Sequence, residues 1–316
     1  MKFTLLTIFG FYLLNSYTLA SESIFITDDF IEELKNDKSL SWTPGRVFDE
    51  KQDFANYFGK SQCSEEDIES IPVLEDSREV EEDLKKLPKF FDARKKWKYC
   101  PSIRQIRDQA NCKAYWAMSV ASVLSDRYCI ASKGKVKQEL SAQNLLSCCE
   151  ECGNCQKGGC ICSSWRYAAT HGLVTGGGYA SHKGCYPYEF RPCGGPHQPS
   201  CSEDPTPSKC ESHACKNPNY NVPFNKDLHK AELSYRLPNS TLAIKKELLR
   251  HGPITALFKI YKDFLTYKRG IYRRGACKKE VGETTVKILG WGTHKTVGEY
   301  WILAMIYLDG DTYNYY

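Results

Sequence analysis

Sixteen cysteines behind an apolar leader constrain this chain more than any other feature. Lys2, the apolar run over residues 3–14 and the small-residue approach through Thr18, Leu19 and Ala20 to Ser21 predict a signal peptide cleaved after Ala20. The chain is thereby expected in the secretory pathway, extracellular or in a lysosome-like compartment, where thiols are oxidised and a disulfide framework is favoured. The competing reading is a metal centre, because Cys148, Cys149, Cys152, Cys155, Cys160 and Cys162 crowd one segment. Zinc would ask for two separated Cys pairs, or Cys plus His at ligand spacing, in a compartment that keeps thiols reduced. The expectation is disulfides, no metal and no cofactor.

The leader is too short for a membrane span, and no later window reaches the length a bilayer needs. The net charge of +5 comes from 43 basic and 38 acidic residues with no long basic block, so nucleic acid is not an expected partner. With 316 residues, 41% of them hydrophobic, the chain can bury a sizeable core as one large or two ordinary domains.

Residues 21–86 are rich in acidic and Lys side chains and carry an amphipathic helical pattern through Phe30, Ile31 and Leu34. Residues 109–118 read Gln-Ala-Asn-Cys-Lys-Ala-Tyr-Trp-Ala-Met. The polar lead-in ends at Lys113, and the spacing of Trp116, Val120, Val123 and Leu124 predicts a buried helix from about Ala114, with Tyr115 at its N-terminus. The last third reads as short strands over residues 253–258, 270–273, 285–292 and 300–307, with Gly at the breaks.

The 109–118 stretch resembles the active-site segment of papain-family cysteine peptidases, Gln-Gly-x-Cys-Gly-Ser-Cys-Trp, whose second Cys is the nucleophile. The likeness to cathepsin B extends through Leu87-Pro88, Phe91-Asp-Ala-Arg94, Trp97, Leu145-Leu-x-Cys148-Cys149, Gly158-Gly159 and Gly184-Cys185-x-Pro-Tyr188. Residues 21–86 resemble the short propeptide of such enzymes, including the Trp-x-x-Gly from Trp42 to Gly45 and a single Cys at Cys63. The resemblance implies an α+β, papain-like two-domain fold over residues 87–316, helical over about 87–236 and β over about 237–316, with a groove between. It also implies a β domain cut short, because the family's Asn-Ser-Trp segment is Met305-Ile306-Tyr307 here and its closing strands are missing before Tyr316.

Carried over position by position, the family's bridges are Cys100 with Cys129, Cys112 with Cys155, Cys148 with Cys210, Cys149 with Cys152, Cys185 with Cys215, and Cys193 with Cys201. Cys63, Cys160, Cys162 and Cys277 are left over. The catalytic positions are degenerate: Tyr115 stands for the nucleophilic Cys, Thr284 for the His and Met305 for the Asn. Gln109 of the oxyanion hole is retained. His294, at the far end of its strand, is too distant to serve Tyr115 as a base. The loop between Cys193 and Cys201 resembles the one that gives cathepsin B its carboxydipeptidase activity through two adjacent His, but it reads Gly194, Gly195 and Pro196 with His197 alone, so that pair is gone.

Gly158 and Gly159 have two open readings, a loop that needs positive φ or a backbone edge that docks extended substrate. Asn239-Ser-Thr241 is the glycosylation acceptor of the mature region. Together these imply a secreted pseudopeptidase that binds a peptide, a protein inhibitor or its own propeptide in a dead groove. The alternatives are an active cysteine endopeptidase or carboxydipeptidase whose C-terminal third is misread in the gene, and a non-functional truncated duplicate.

Overall fold

The computed structural model describes residues 23–305 apart from 53, 55–57, 75–86, 194–197, 200, 202–204, 212–213, 276 and 278. The leader, His197 and the residues beyond Met305 therefore lie outside the described residues.

The N-terminal segment opens with helix α1 (Asp28–Asn36). Thr27 caps it by accepting the Phe30 N–H, Asp28 and Asp29 sit in its positive first turn, and Ile31 and Leu34 form its buried stripe. Strand β1 (Trp42–Pro44) and the short helix α2 (Glu65–Glu69) follow, the latter held by a reciprocal capping box between Ser64 and Asp67. Next come β2 (Phe91–Asp92) and the single-turn helix α3 (Ala93–Lys96).

Helix α4 (Tyr115–Ala131) is the central rod. Thirteen of its seventeen residues are buried, so the helix is covered nearly all round rather than on one face. Packed on it are α5 (Ala142–Cys148), the hairpin of β3 (Gly153–Asn154) and β4 (Gly158–Gly159), and α6 (Ile161–Thr170). This helical layer has its own core, around Trp116, Val120, Leu124, Leu145 and Leu173.

Helix α7 (Thr241–His251), capped by Ser240, leads into β5 (Ile254–Tyr261), β6 (Tyr267–Gly270), β7 (Glu280–His294) and β8 (Gly298–Met305). The long strand β7 pairs antiparallel with β2, β5 and β8. The α+β architecture is thus present as a helical layer against an antiparallel sheet. Two details differ from the simple division at residue 237. The sheet recruits Phe91 and Asp92 from the helical half, opposite Trp291 and Gly290, and the C-terminal part begins with a helix.

The strand expected over residues 270–273 lies earlier, at Tyr267–Gly270. Gly270 has φ +110° and ends the strand rather than opening it. The partner of β6 is β1 of the N-terminal segment. Trp42 is buried there against Tyr267 and Tyr272, with ring centroids 6.0 and 5.3 Å away. The N-terminal segment therefore shares the core of the sheet layer, to which Ile24, Ile26, Phe48 and Phe54 also contribute.

Candidate functional site

Tyr115 is the first residue of α4, where the helix N-terminus meets β7 and the β3–β4 hairpin. Its backbone carbonyl accepts the Thr285 hydroxyl at 2.7 Å, which ties the helix start to the sheet. Its side chain is 1% exposed. The phenol donates to the Lys60 carbonyl at 3.0 Å and accepts the Gly159 N–H at 3.4 Å. Burial pushes this phenol up to about 12, helped by the Glu283 carboxylate and opposed by the Gly159 N–H. The side chain at this position is thus a neutral hydrogen-bonding group, not an ionised one.

Two glycines make room for the ring. A Cβ on Gly59 would lie 2.6 Å from Tyr115 Cε1, and one on Gly158 would lie 2.3 Å from the phenol oxygen. Gly158 also has φ +91°, a conformation disfavoured for other residues. Gly159 contributes its backbone: its carbonyl accepts the Gln62 N–H at 3.4 Å. Positive φ thus falls at Gly158, while Gly159 pairs through its backbone with the N-terminal segment.

Residues 59–63 run across the groove between the helical layer and the sheet. On the sheet side the Glu283 N–H donates to the Gly59 carbonyl at 2.9 Å, and Glu283 Oε2 accepts the Ser61 N–H at 2.8 Å. On the helical side Gln62 and the Lys60 carbonyl meet Gly159 and Tyr115. The backbone of this segment is thus held by hydrogen bonds from both walls, as a peptide is when it docks on a sheet edge. The segment is also bonded covalently. Cys63, left over in the sequence reading with Cys160, is joined to Cys160, the N-cap of α6.

Thr284 is buried on β7 opposite Phe258, and Met305 is buried at the end of β8 opposite Val286. Neither side chain can serve as a base at neutral pH. His294 is exposed at the other end of β7, opposite Gly298, with its Nδ1 3.1 Å from the Thr296 hydroxyl. Gln109 is buried just before α4; its backbone carbonyl accepts the Tyr188 hydroxyl at 2.8 Å, while its side-chain oxygen has no partner among the described residues. Lys113 is half-buried, and loss of solvent lowers its pKa.

The disulfides are Cys63–Cys160, Cys100–Cys129, Cys112–Cys155, Cys148–Cys210, Cys149–Cys152, Cys185–Cys215 and Cys193–Cys201. Cys112–Cys155 ties the lead-in of α4 to the β3–β4 hairpin and so fixes Tyr115 against Gly158. Cys162 and Cys277 are free. Asn239 is exposed just before the cap of α7. The sequence offered one signal for the Cys63 bridge, four cysteines left without partners, but nothing to say which leftover pair would meet.

Residues 87–305 match the model of the papain family cysteine protease, Peptidase_C1. The chain is 39% identical over 239 residues to cathepsin B-like cysteine proteinase 4 of Caenorhabditis elegans, a match covering 74% of this chain and 71% of that protein. It is 40% identical over 225 residues to a cathepsin B-like cysteine proteinase of Schistosoma japonicum, covering 69% and 64%. Among solved structures, proCathepsin B S9 from Trypanosoma congolense superposes with a TM-score of 0.71 at 32% identity, covering 90% of this chain and 88% of that one. The digestive procathepsin L 3 of Tenebrio molitor larval midgut shares the fold, with a TM-score of 0.58 at 17% identity over 87% of this chain and 76% of that one. The coverage reaches the N-terminal segment, so the likeness is to a precursor and not to a peptidase domain alone. With the groove, the crossing segment and these relatives in view, the chain belongs to the papain family of cysteine peptidases and is cathepsin B-like.

Proposed function

We infer that this protein is a catalytically inactive member of its family, a pseudopeptidase whose groove holds an extended peptide instead of cleaving it. The observation that carries the reading is the state of Tyr115. Cysteine peptidase chemistry needs a thiolate beside an imidazole at the start of this helix. Here a buried phenol stays protonated and spends its proton on the Lys60 carbonyl. The neighbouring wall offers Thr284 and Met305, and neither a hydroxyl nor a thioether can take a proton from a nucleophile and return it to a leaving group.

The occupant of the groove in this reading is the protein's own propeptide, residues 21–86, and a peptide of similar backbone can take its place when it leaves. The leader over residues 1–20 and the seven disulfides support passage through the secretory pathway. The purified protein is expected neither to cleave dipeptidyl fluorogenic substrates nor to be alkylated at residue 115 by an epoxide inhibitor of cysteine peptidases. Turnover that the inhibitor abolishes would overturn the reading.

A further inference from the structure

Three sulfurs meet where the N-terminal segment leaves the groove. Cys63 is bonded to Cys160, with Cα atoms 4.6 Å apart, and the sulfurs of Cys63, Cys160 and free Cys162 all lie within 4.8 Å of one another. Cys160 caps the ten-residue helix α6, and its sulfur accepts the Ser163 N–H at 3.4 Å. Cys162 stands in the first turn of the same helix. It is half-buried and lines an apolar cavity of about 380 Å³ with Ile71, Val123 and Trp165. Cys160 is thus a sulfur fixed at a helix start between two partners, one from the N-terminal segment and one from its own helix.

We propose that Cys63, Cys160 and Cys162 form a thiol–disulfide relay that decides whether the N-terminal segment is covalently held in the groove. The Cys162 thiolate attacks the sulfur of Cys160. The Cys63–Cys160 bond breaks, a Cys160–Cys162 bond forms, and Cys63 leaves as a thiolate that takes up the proton Cys162 gave away. One disulfide is exchanged for another, so no oxidant or reductant is consumed.

In the resting form the relay is slow. Burial pushes the Cys162 thiol up and Asp67 acts in the same direction, against Arg236 and Arg166, so little thiolate is present at neutral pH. While the bond to Cys63 stands, cutting the chain between the N-terminal segment and residue 87 leaves the groove occupied. After exchange the same cut leaves the segment held by non-covalent contacts alone, the backbone hydrogen bonds at Gly59, Ser61 and Gln62, the β1–β6 pairing and the side chains it buries in the sheet core, so that its departure opens the groove to another extended peptide. This inference rests on the segment's place in the groove and is independent of whether the groove catalyses.

The test uses the full chain with a site for a sequence-specific protease inserted between residues 80 and 81. The cut protein is held at about pH 8, quenched with acid at intervals, run on denaturing non-reducing gels, and its disulfides are mapped by mass spectrometry. At the start the N-terminal fragment is expected to stay attached. It should then be released with time as a Cys160–Cys162 peptide appears, while a Cys63→Ser variant releases it at once. Cys162→Ser should slow release at least about tenfold, since the attacking thiol is gone. Alkylating Cys162 in the folded wild type should do the same, which keeps the test open if that variant folds poorly. Release at equal rates with and without Cys162, lasting attachment in the wild type, or transfer of the link to Cys63–Cys162 would each overturn the relay. Hydrolysis of a peptide substrate by the cut protein would overturn the inactive reading and leave the relay standing.

Discussion

Lys287 on β7 and Asp126 on α4 form an ion pair of 2.9 Å with side chains 3% and 0% exposed, and it rivets the sheet to the central helix. The Lys287 ammonium also donates to the Ser122 hydroxyl at 3.0 Å and the Ser102 carbonyl at 3.2 Å. Burial lowers the Lys287 pKa, and Asp126 opposes the fall. A buried charge with its partner removed is far costlier than a pair replaced by apolar side chains. Asp126→Ala is expected to cost roughly 3–5 kcal/mol in denaturant unfolding. Asp126→Leu with Lys287→Met should cost clearly less, and equal losses would show that packing, not charge, dominates there.

A second expectation concerns the ring that fills the groove. Gly59→Ala pushes a methyl group into Tyr115, and overpacking of that kind costs about 1–3 kcal/mol. Tyr115→Ala removes the obstacle but leaves a cavity costing about 3–5 kcal/mol. The two changes should be strongly non-additive, the double variant being no less stable than Tyr115→Ala alone. Additive losses in a melting or denaturant series would mean that the segment and the ring do not touch.

Alkaline titration gives a third. The unfolded phenol ionises near 10, and Tyr115 in the fold at about 12. The folded state thus holds its proton longer, so this contribution to stability is whole below about pH 10 and is lost as pH rises through about 12. The difference in tyrosinate absorbance between wild type and Tyr115→Phe should show a step only at the alkaline end. A step near pH 10 would place the phenol in water.

For catalysis, Tyr115→Cys alone is expected to show no turnover, because a thiol without a base keeps a pKa near 8.5 and the leaving group finds no proton donor. Tyr115→Cys with Thr284→His should gain measurable hydrolysis once the N-terminal segment is removed, with Met305 still limiting how the imidazole is oriented. Strong activity in the single variant would reveal another base within reach.

Much of this site is legible in the sequence. The start of α4 at Tyr115 followed from a polar lead-in and a buried spacing, and six bridges followed from the resemblance. The path of residues 59–63 did not, because backbone hydrogen bonds such as those of Gly59 and Gln62 leave no mark in side-chain pattern. The Cys63–Cys160 bond was hidden for a related reason. Sequence spacing says which cysteines are spare, and only the fold says that the first turn of α6 faces the departing segment. The partner of β6 was equally invisible, since a three-residue strand containing Pro44 gives no alternation to read.

The pairing of Trp42 with Gly270 couples the two ends of the described chain in time as well as in space. Contacts between residues so distant in sequence form slowly, because a long loop must close before any of them is rewarded. The Trp42 side chain, whose indole N–H reaches the Arg273 carbonyl at 3.2 Å, has nowhere to dock until the C-terminal strands exist. Among the first structured residues to be synthesised, it is therefore among the last to settle. A nascent chain arrested before Tyr267 would carry its N-terminal aromatics exposed, a ready target for the chaperones of whichever compartment receives it.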